Sequence, residues 1–458
     1  MKVFNSVSDL QAASLTAGQL TQTKRYYAGQ DGGGATYLIK TAVDYAGTPD
    51  EYGDHTLANG NVAVLQAEGS VNVKLFGATG DGVTDDTAAI QAAIDYAIDN
   101  SYQTILLNGK FNITNGTLLI DKGTVHTEGG NDFARKRLTF VGGSEAEILK
   151  TDAGFMFSAT SGRNGDIAFD KVTFSGTIDN TGISSIVTGL IAFDGDKLIR
   201  LSTTNCTFRY LDYCWYQDGT VSSPIQSLKS INNTFTKNNV IFRFNQAWDI
   251  VFDGGLMEDG NKFITHKDVN STIRNLVVSN GATIEGMQQT AIELNCVNYG
   301  SKIINCYFEA NQNHIQMNRF NAAVAINNNS FFGRGSIAAG DTIKCIDVAV
   351  GSQGITVDGN LSTETNTNTI LISIDQTSAY NSGAFNIVGK NVTLGSTITD
   401  TPLRVVDING MKMLAGSGNP EGSIVSSPGF IYLNRDGGAS TTLYVKESGT
   451  GNTGWVAK

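Results

Sequence analysis

VNVKLFGATGDGVTDDTAAIQAAIDYAIDN, residues 71–100, carries three local instructions in succession. Val71, Val73 and Leu75 alternate, as in a strand with one buried face. Gly77, Gly80 and Gly82 interrupt it, with Asp81 between the last two. Thr84, Asp85, Asp86 and Thr87 offer side-chain oxygens to the unpaired N–H groups of a helix's first turn. Behind them Ile90, Ala93, Ile94, Ala97 and Ile98 fall at i, i+3, i+4, i+7 and i+8, an apolar stripe down one side of a helix. The stretch predicts a strand, a glycine loop and an amphipathic helix over 85–99. Asp85 and Asp86 are expected to cap that helix rather than to bind metal or catalyse.

The run from Phe76 through Gly77, Asp81 and Asp85 to Thr87 resembles the opening motif of pectate-lyase-like proteins. That resemblance implies an all-β fold, a right-handed single-stranded parallel β-helix whose N-terminal end is plugged by the helix. A solenoid needs such a plug, because its first coil otherwise exposes apolar core and unpaired strand edges. The resemblance divides the chain into residues 1–70, a β-helix over 71–400, and a small β module over 401–458.

A repeat supports the same architecture. Phe174, Phe208, Phe235, Met257, Ile284, Phe308 and Phe331 recur as inward-facing candidates, and from Phe208 onward the steps are 27, 22, 27, 24 and 23 residues. Periods in the twenties indicate one solenoid coil per repeat, read here as three short strands each. Asn232, Asn233, Asn275, Asn305, Asn327, Asn328 and Asn329 are expected to form side-chain ladders between coils.

Composition narrows the function. Glycine is frequent, at 52 of 458 residues, and proline is scarce, at 5, as suits many strands joined by tight turns. A net charge of −11 with no basic run argues against a nucleic-acid partner, and favours a neutral or weakly charged polymer over a strongly anionic one. Cys206, Cys214, Cys296, Cys306 and Cys345 lack metal-like spacing and read as buried thiols of a protein folded in a reducing cytoplasm. Four scattered histidines give no support to a zinc cluster, and neither metal nor cofactor is expected. No stretch is long enough to insert in a membrane.

The two ends add to the resemblance. Tyr26, Tyr27 and Tyr37 surround a glycine run in which Gly32, Gly33 and Gly34 read as a tight turn, and Val62, Val64 and Leu65 suggest a closing strand. This segment is similar to the leader of many bacteriophage tailspike depolymerases, which joins the spike to other virion tail proteins. Phe430, Tyr432, Tyr444, Val445 and Trp455 alternate with turns in a tail that resembles the C-terminal piece of phage fibres and spikes. The resemblance implies a homotrimer in a virion tail, made in the host cytoplasm. It also implies a bacterial surface polysaccharide (capsule, exopolysaccharide or O-antigen) as the partner to be bound and cut.

Aligning the repeat places Glu258 after Met257, Glu285 after Ile284 and Glu309 after Phe308. Strand neighbours point to opposite sides, so these carboxylates should form an outward column with coils about 4.8 Å apart. Glycoside cleavage needs one carboxyl to protonate the leaving oxygen and another as nucleophile or base. Glu285 and Glu309 lead that reading, with Glu258 and Asp259 in reserve. A structural role at a coil corner is the alternative for each. Asp249 and Asp253 form a weaker acidic set. Tyr213, Trp215, Trp248, Tyr307 and His314 are candidate sugar-binding residues, because aromatic faces stack on sugar rings, although aromatic strands also fill cores. Two rival functions remain. One is a lyase, using His266 with Lys267 and Arg274, or His314 with Arg319 and Tyr307. The other is a fibre that binds without cutting.

Overall fold

The computed structural model describes all residues except 30–31, 122–136, 161–163, 177–185, 220–223, 334–342, 349–354, 363–368, 375–385, 389–402 and 409–410. The middle of the chain winds as a parallel β-helix with three long faces. One coil reads Val240–Phe244 on face one, Gln246–Asp253 on face two and Leu256–Glu258 on face three, before Lys262–His266 returns to face one. Every strand-to-strand register along these faces is parallel, for example Phe242 beside Ile264 and Phe252 beside Val278.

The inward column predicted from the repeat lies in unbroken register on face three. Phe174 pairs with Phe208, then Phe235, Met257, Ile284, Phe308 and Phe331, and the column extends back through Ile148 to Phe111. Each of these side chains is buried. Because the strand spacing is close to the ring-stacking distance, Phe174, Phe208 and Phe235 stack at 4.7 and 4.8 Å with nearly parallel planes. Truncating one such ring would cost about 3–5 kcal/mol.

The corners are built from residues in the left-handed conformation. Between faces two and three it falls on Asn205, Asn232, Asn280, Asn305 and Asn328, all near φ +55°. Asparagine tolerates this region because its short side chain bonds locally. Asn232 Nδ2 donates to Asn205 at 2.9 Å, and Asn233 donates to Thr203 and Ser230 while accepting from the Cys206 N–H. The asparagines therefore tie coils together, as their recurrence suggested. All five cysteines are free and buried.

The opening stretch departs from its predicted form in four respects. Only Val71–Asn72 is strand; Val73–Phe76 is a turn of 3-10 helix, started by Asn72, whose side chain accepts from the Lys74 N–H. Val73 and Phe76 are thereby placed on one buried side, three residues apart. Asp81–Asp85 forms a strand beside Lys110–Asn112. The helix covers Thr87–Asp99, two residues shorter at its start than expected, with Ala89, Ile90, Ala93, Ile94 and Ala97 buried against the first coil. Asp85 caps it by accepting from the Thr87 N–H at 3.0 Å. Asp86 stands at the cap position, but its buried carboxylate turns back to accept from Thr79 and Gly80 N–H. It therefore locks the glycine loop.

At the N-terminal end, Lys2–Phe4, Leu20–Thr23, Thr36–Lys40, His55–Thr56 and Val62–Leu65 form a five-stranded sheet that includes the expected closing strand. Gly33 and Gly34 make a turn so close to Lys74 and Lys24 backbone that a Cβ there would lie 2.3–2.5 Å from a carbonyl oxygen. At the C-terminal end, Leu414, Tyr432, Tyr444 and Trp455 form a second small core in a five-stranded sheet. The predicted fading of the repeat and the boundary at 400 fall in 389–402, outside the described residues.

Candidate active site

Face three carries, beside its buried column, an outward column in the register Ser175, Arg209, Thr236, Glu258, Glu285, Glu309 and Phe332. Glu258, Glu285 and Glu309 are thus consecutive rungs, each half-buried. Their flanks differ. Thr236 Oγ1 donates to Glu258 at 2.8 Å, and Tyr307 Oη donates to Glu309 Oε2 at 2.7 Å. Glu285, between them, has no such donor among the described hydrogen bonds. Partial burial, and then the negative charges of Glu258, Glu309 and Asp259, hold its carboxyl above the ordinary glutamate range. Glu309 in turn pushes the Tyr307 phenol up to about 12, so that this side chain stays a donor.

Asp259 is exposed and opens the next corner. It belongs to a second left-handed column, with Tyr210, Lys237, Gly286 and Ala310, each of which immediately follows a rung. Lys237, Asp259, Gly286 and Ala310 donate their N–H groups to the carbonyls of Glu258, Glu285, Glu309 and Phe332 in turn. The backbone of Asp259 therefore serves the corner, and its carboxylate adds charge near Glu285.

The predicted sugar-binding residues separate into two groups. Tyr307 and Trp248 reach the surface: Tyr307 flanks the glutamates, with Phe332 at a ring distance of 4.8 Å, and Trp248 lies on face two. Tyr213 is half-buried on face one, 4.7 Å from Tyr216 and beneath Arg243. Trp215 and His314, in contrast, are core residues, with 1% and 0% exposure. Trp215 stacks on Phe193 and touches Phe208, Phe235 and Phe252. His314 stands among Phe308, Phe331 and Asn311, and burial drives its pKa down to about 3. In both strands two consecutive residues are buried, Cys214 with Trp215 and His314 with Ile315, so the simple alternation is broken and neither side chain can meet a polymer. Asp249 accepts from Asn275, and Asp253 from Asn280 and Ser279, so both hold bends between coils.

Sequence reasoning did not anticipate a charged group on face one. Asp218 is paired with Arg243 at 3.3 Å and Lys267 at 3.1 Å, and these cations hold its carboxyl low. Lys262 and Thr265 both donate to Glu293. These residues lie three apart or in different coils, so only the winding assembles them. A cleft between the N-terminal sheet and the helix Thr87–Asp99 is lined by Lys40, Asp50, Asp54, Asp95 and Tyr96. There Asp54 accepts from Tyr45 and from the Leu65 N–H, bonds that join the sheet's parts. Among the described residues, no group of three histidine, cysteine or acidic side chains could hold a metal ion. No described helix is long and apolar enough to cross a membrane.

Residues 70–179 match the family model described as Rhamnogalacturonase A/epimerase, pectate lyase-like. Over 116 residues, 24% of this chain, the sequence is 35% identical to mannuronan C5-epimerase AlgE2 of Azotobacter vinelandii. It is equally similar, over the same length, to alginate lyase 7 of that organism. These alignments span only 11% and 13% of the relatives' own lengths. The tailspike of Acinetobacter baumannii phage AM24 superposes with a TM-score of 0.62 at 13% identity, covering 81% of this chain and 65% of that one. The gp42 tailspike of Acinetobacter phage vb_AbaP_AS12 gives 0.53 at 12% identity, covering 98% and 87%. The fold is therefore a pectate-lyase-like parallel β-helix of the kind found in phage tailspikes. Its solved neighbours are mostly tailspike proteins.

Proposed function

We propose that this chain is a bacteriophage tailspike that binds and depolymerises a bacterial surface polysaccharide by endoglycosidic hydrolysis. One observation carries the reading: Glu258, Glu285 and Glu309 occupy consecutive rungs, and among the described residues only the outer two have a hydroxyl donor. Glu285, whose carboxyl is held above the ordinary glutamate range by partial burial and then by its acidic neighbours, is the general acid. Glu309, its carboxylate fixed by Tyr307, is the nucleophile or base. Adjacent rungs lie about 4.8 Å apart, close to the roughly 5 Å separation of retaining enzymes, whereas Glu258 and Glu309 are two rungs apart, near the upper end of the inverting range.

In the retaining version Glu285 passes its proton to the glycosidic oxygen as the bond to the anomeric carbon breaks. Glu309 forms an ester with that carbon. Water then displaces Glu309, giving its proton to Glu285, so both groups return to their starting states.

The histidines favour hydrolysis over elimination. His314 is sealed in the core, and His266 has its Nε2 buried without a partner and its Nδ1 beside the Asp268 carbonyl. Neither is placed as a base for an incoming sugar. The remaining parts of the reading are a homotrimer in a virion tail, with residues 1–70 joining other tail proteins. Products from a susceptible capsule test the whole. New reducing ends without ultraviolet absorbance support hydrolysis, unsaturated absorbing ends identify a lyase, and unchanged polymer length identifies a fibre that only binds.

A further inference from the structure

We infer that Trp248, Arg274 and Tyr299 form a docking platform on face two for an acidic saccharide unit, a sugar ring bearing a carboxylate. The inference rests on the polysaccharide reading above and adds a binding surface separate from the glutamate column.

The three residues are rungs of one column, Gln226, Trp248, Arg274, Tyr299 and Ala322. The Arg274 guanidinium carbon lies 5.4 Å from the Trp248 ring centre and 5.8 Å from that of Tyr299. Arg274 is exposed, Tyr299 is 41% exposed, and Phe320 continues the aromatic surface 5.7 Å from Tyr299. Directly after each rung the backbone enters the left-handed region, at Asp249, Asn275 and Gly300. Asn275 Nδ2 donates to Asp249 at 2.8 Å, tying two of these bends together. The rungs are thus held on a fixed kink.

The charge of Arg274 differs from that of three other arginines of the β-helix. Arg200, Arg209 and Arg243 each pair with a carboxylate, at 3.3, 2.8 and 3.3 Å. Arg274 has neither a carboxylate partner nor a hydrogen bond among the described residues, in a chain whose net charge is −11. Two ring faces hold this cation while its N–H fork stays unused, the arrangement that receives a carboxylate in bidentate fashion. The neighbouring aromatic faces offer stacking for the sugar's C–H surface. A lone cation suits a polymer with spaced acidic units better than one charged at every sugar.

Trp248 supplies the readout. The chain has three tryptophans, and Trp215 and Trp455 are 1% and 5% exposed, so acrylamide quenching reports chiefly on Trp248. The full-length chain would be titrated with a tetrasaccharide alternating uronic acid and neutral sugar, with its carboxyl-reduced form, and with inorganic phosphate. The expected result is protection by the acidic tetrasaccharide, with affinity at least about tenfold weaker for the reduced form and for Arg274→Gln. Arg274→Lys should retain part of the affinity, and Lys229→Gln, exposed on the same face, all of it. Equal protection by the reduced sugar or by phosphate would overturn the inference, as would unchanged affinity in Arg274→Gln. So would concentration-dependent shielding of Trp248 without sugar, abolished by Arg274→Glu, which would mark a contact between copies of the chain. Binding without cleavage of any polysaccharide would keep the platform and sink the hydrolase. Cleavage of a wholly neutral polymer, indifferent to Arg274, would do the reverse.

Discussion

Tyr307 donates its phenolic hydrogen to Glu309 at 2.7 Å, and the two residues flank the buried Phe308 on a single three-residue strand. Alternation within that strand puts both side chains outward, so the bond is set locally, while Glu258 and Glu285 come from other coils. Tyr307→Phe should therefore leave folding unchanged. It should lower kcat by about 10–100-fold, the loss of one hydrogen bond to a charged group. Steady-state kinetics beside a thermal melt would check both halves.

Glu285→Gln should separate activity from stability. Removing a general acid costs about 10²–10⁴ in rate. The same change relieves like-charge crowding and should stabilise the neutral-pH protein by about 0.5 kcal/mol, a small value because the group is partly solvated. The raised folded pKa means that the folded state holds the proton more tightly than the unfolded chain. Stability contributed by protonated Glu285 is present at low pH and is lost as pH rises through the ordinary glutamate value toward the folded one. Urea midpoints at pH 4 and pH 7 should differ less, on this account, in the glutamine variant.

His314 should make the protein sensitive to acid. Its folded pKa of about 3 lies below the usual 6.5, so the unfolded chain binds the proton first. Stability is then full above about pH 6.5 and falls steadily as pH drops toward 3. His314→Leu should flatten that part of the profile in urea titrations, even though it loses the contact with Asn311. A profile unchanged by the substitution would mean that other groups, His55 first among them, set the acid limit.

Trp215 offers a direct check of its place in the core. Its indole N–H has no partner among the described residues, so Trp215→Phe forfeits no hydrogen bond, should cost less than truncation to alanine and should leave polysaccharide affinity intact. Trp215→Ala should cost about 3–5 kcal/mol. A specific loss of affinity in the phenylalanine variant would contradict the packing.

Asp259→Gly tests whether this residue acts through its backbone. Glycine already stands at the equivalent corner, Gly286, and suits φ near +55° without strain. The variant should keep its kcat and gain up to about 1 kcal/mol of stability. A collapse of kcat would return Asp259 to the chemistry.

Much of this protein was determined by the sequence alone. A recurring buried residue every 22–27 positions can be satisfied only by layers in register, and the aromatic column from Phe174 to Phe331 is the direct consequence. The same spacing put Glu258, Glu285 and Glu309 on consecutive rungs, because a residue's side of a short strand follows from parity with its buried neighbour. Where the tertiary structure alone decided, local pattern was ambiguous. Trp215 and His314 are amphipathic residues that suit either side of a sheet, and each lies in a strand that buries two consecutive residues, which simple alternation does not foresee. Asp86 looks like a cap in one dimension, but the folded loop offers it two better donors, at Thr79 and Gly80. The column of Trp248, Arg274 and Tyr299 has no motif at all, since its members are about 25 residues apart and meet only because backbone hydrogen bonds stack one coil on the next.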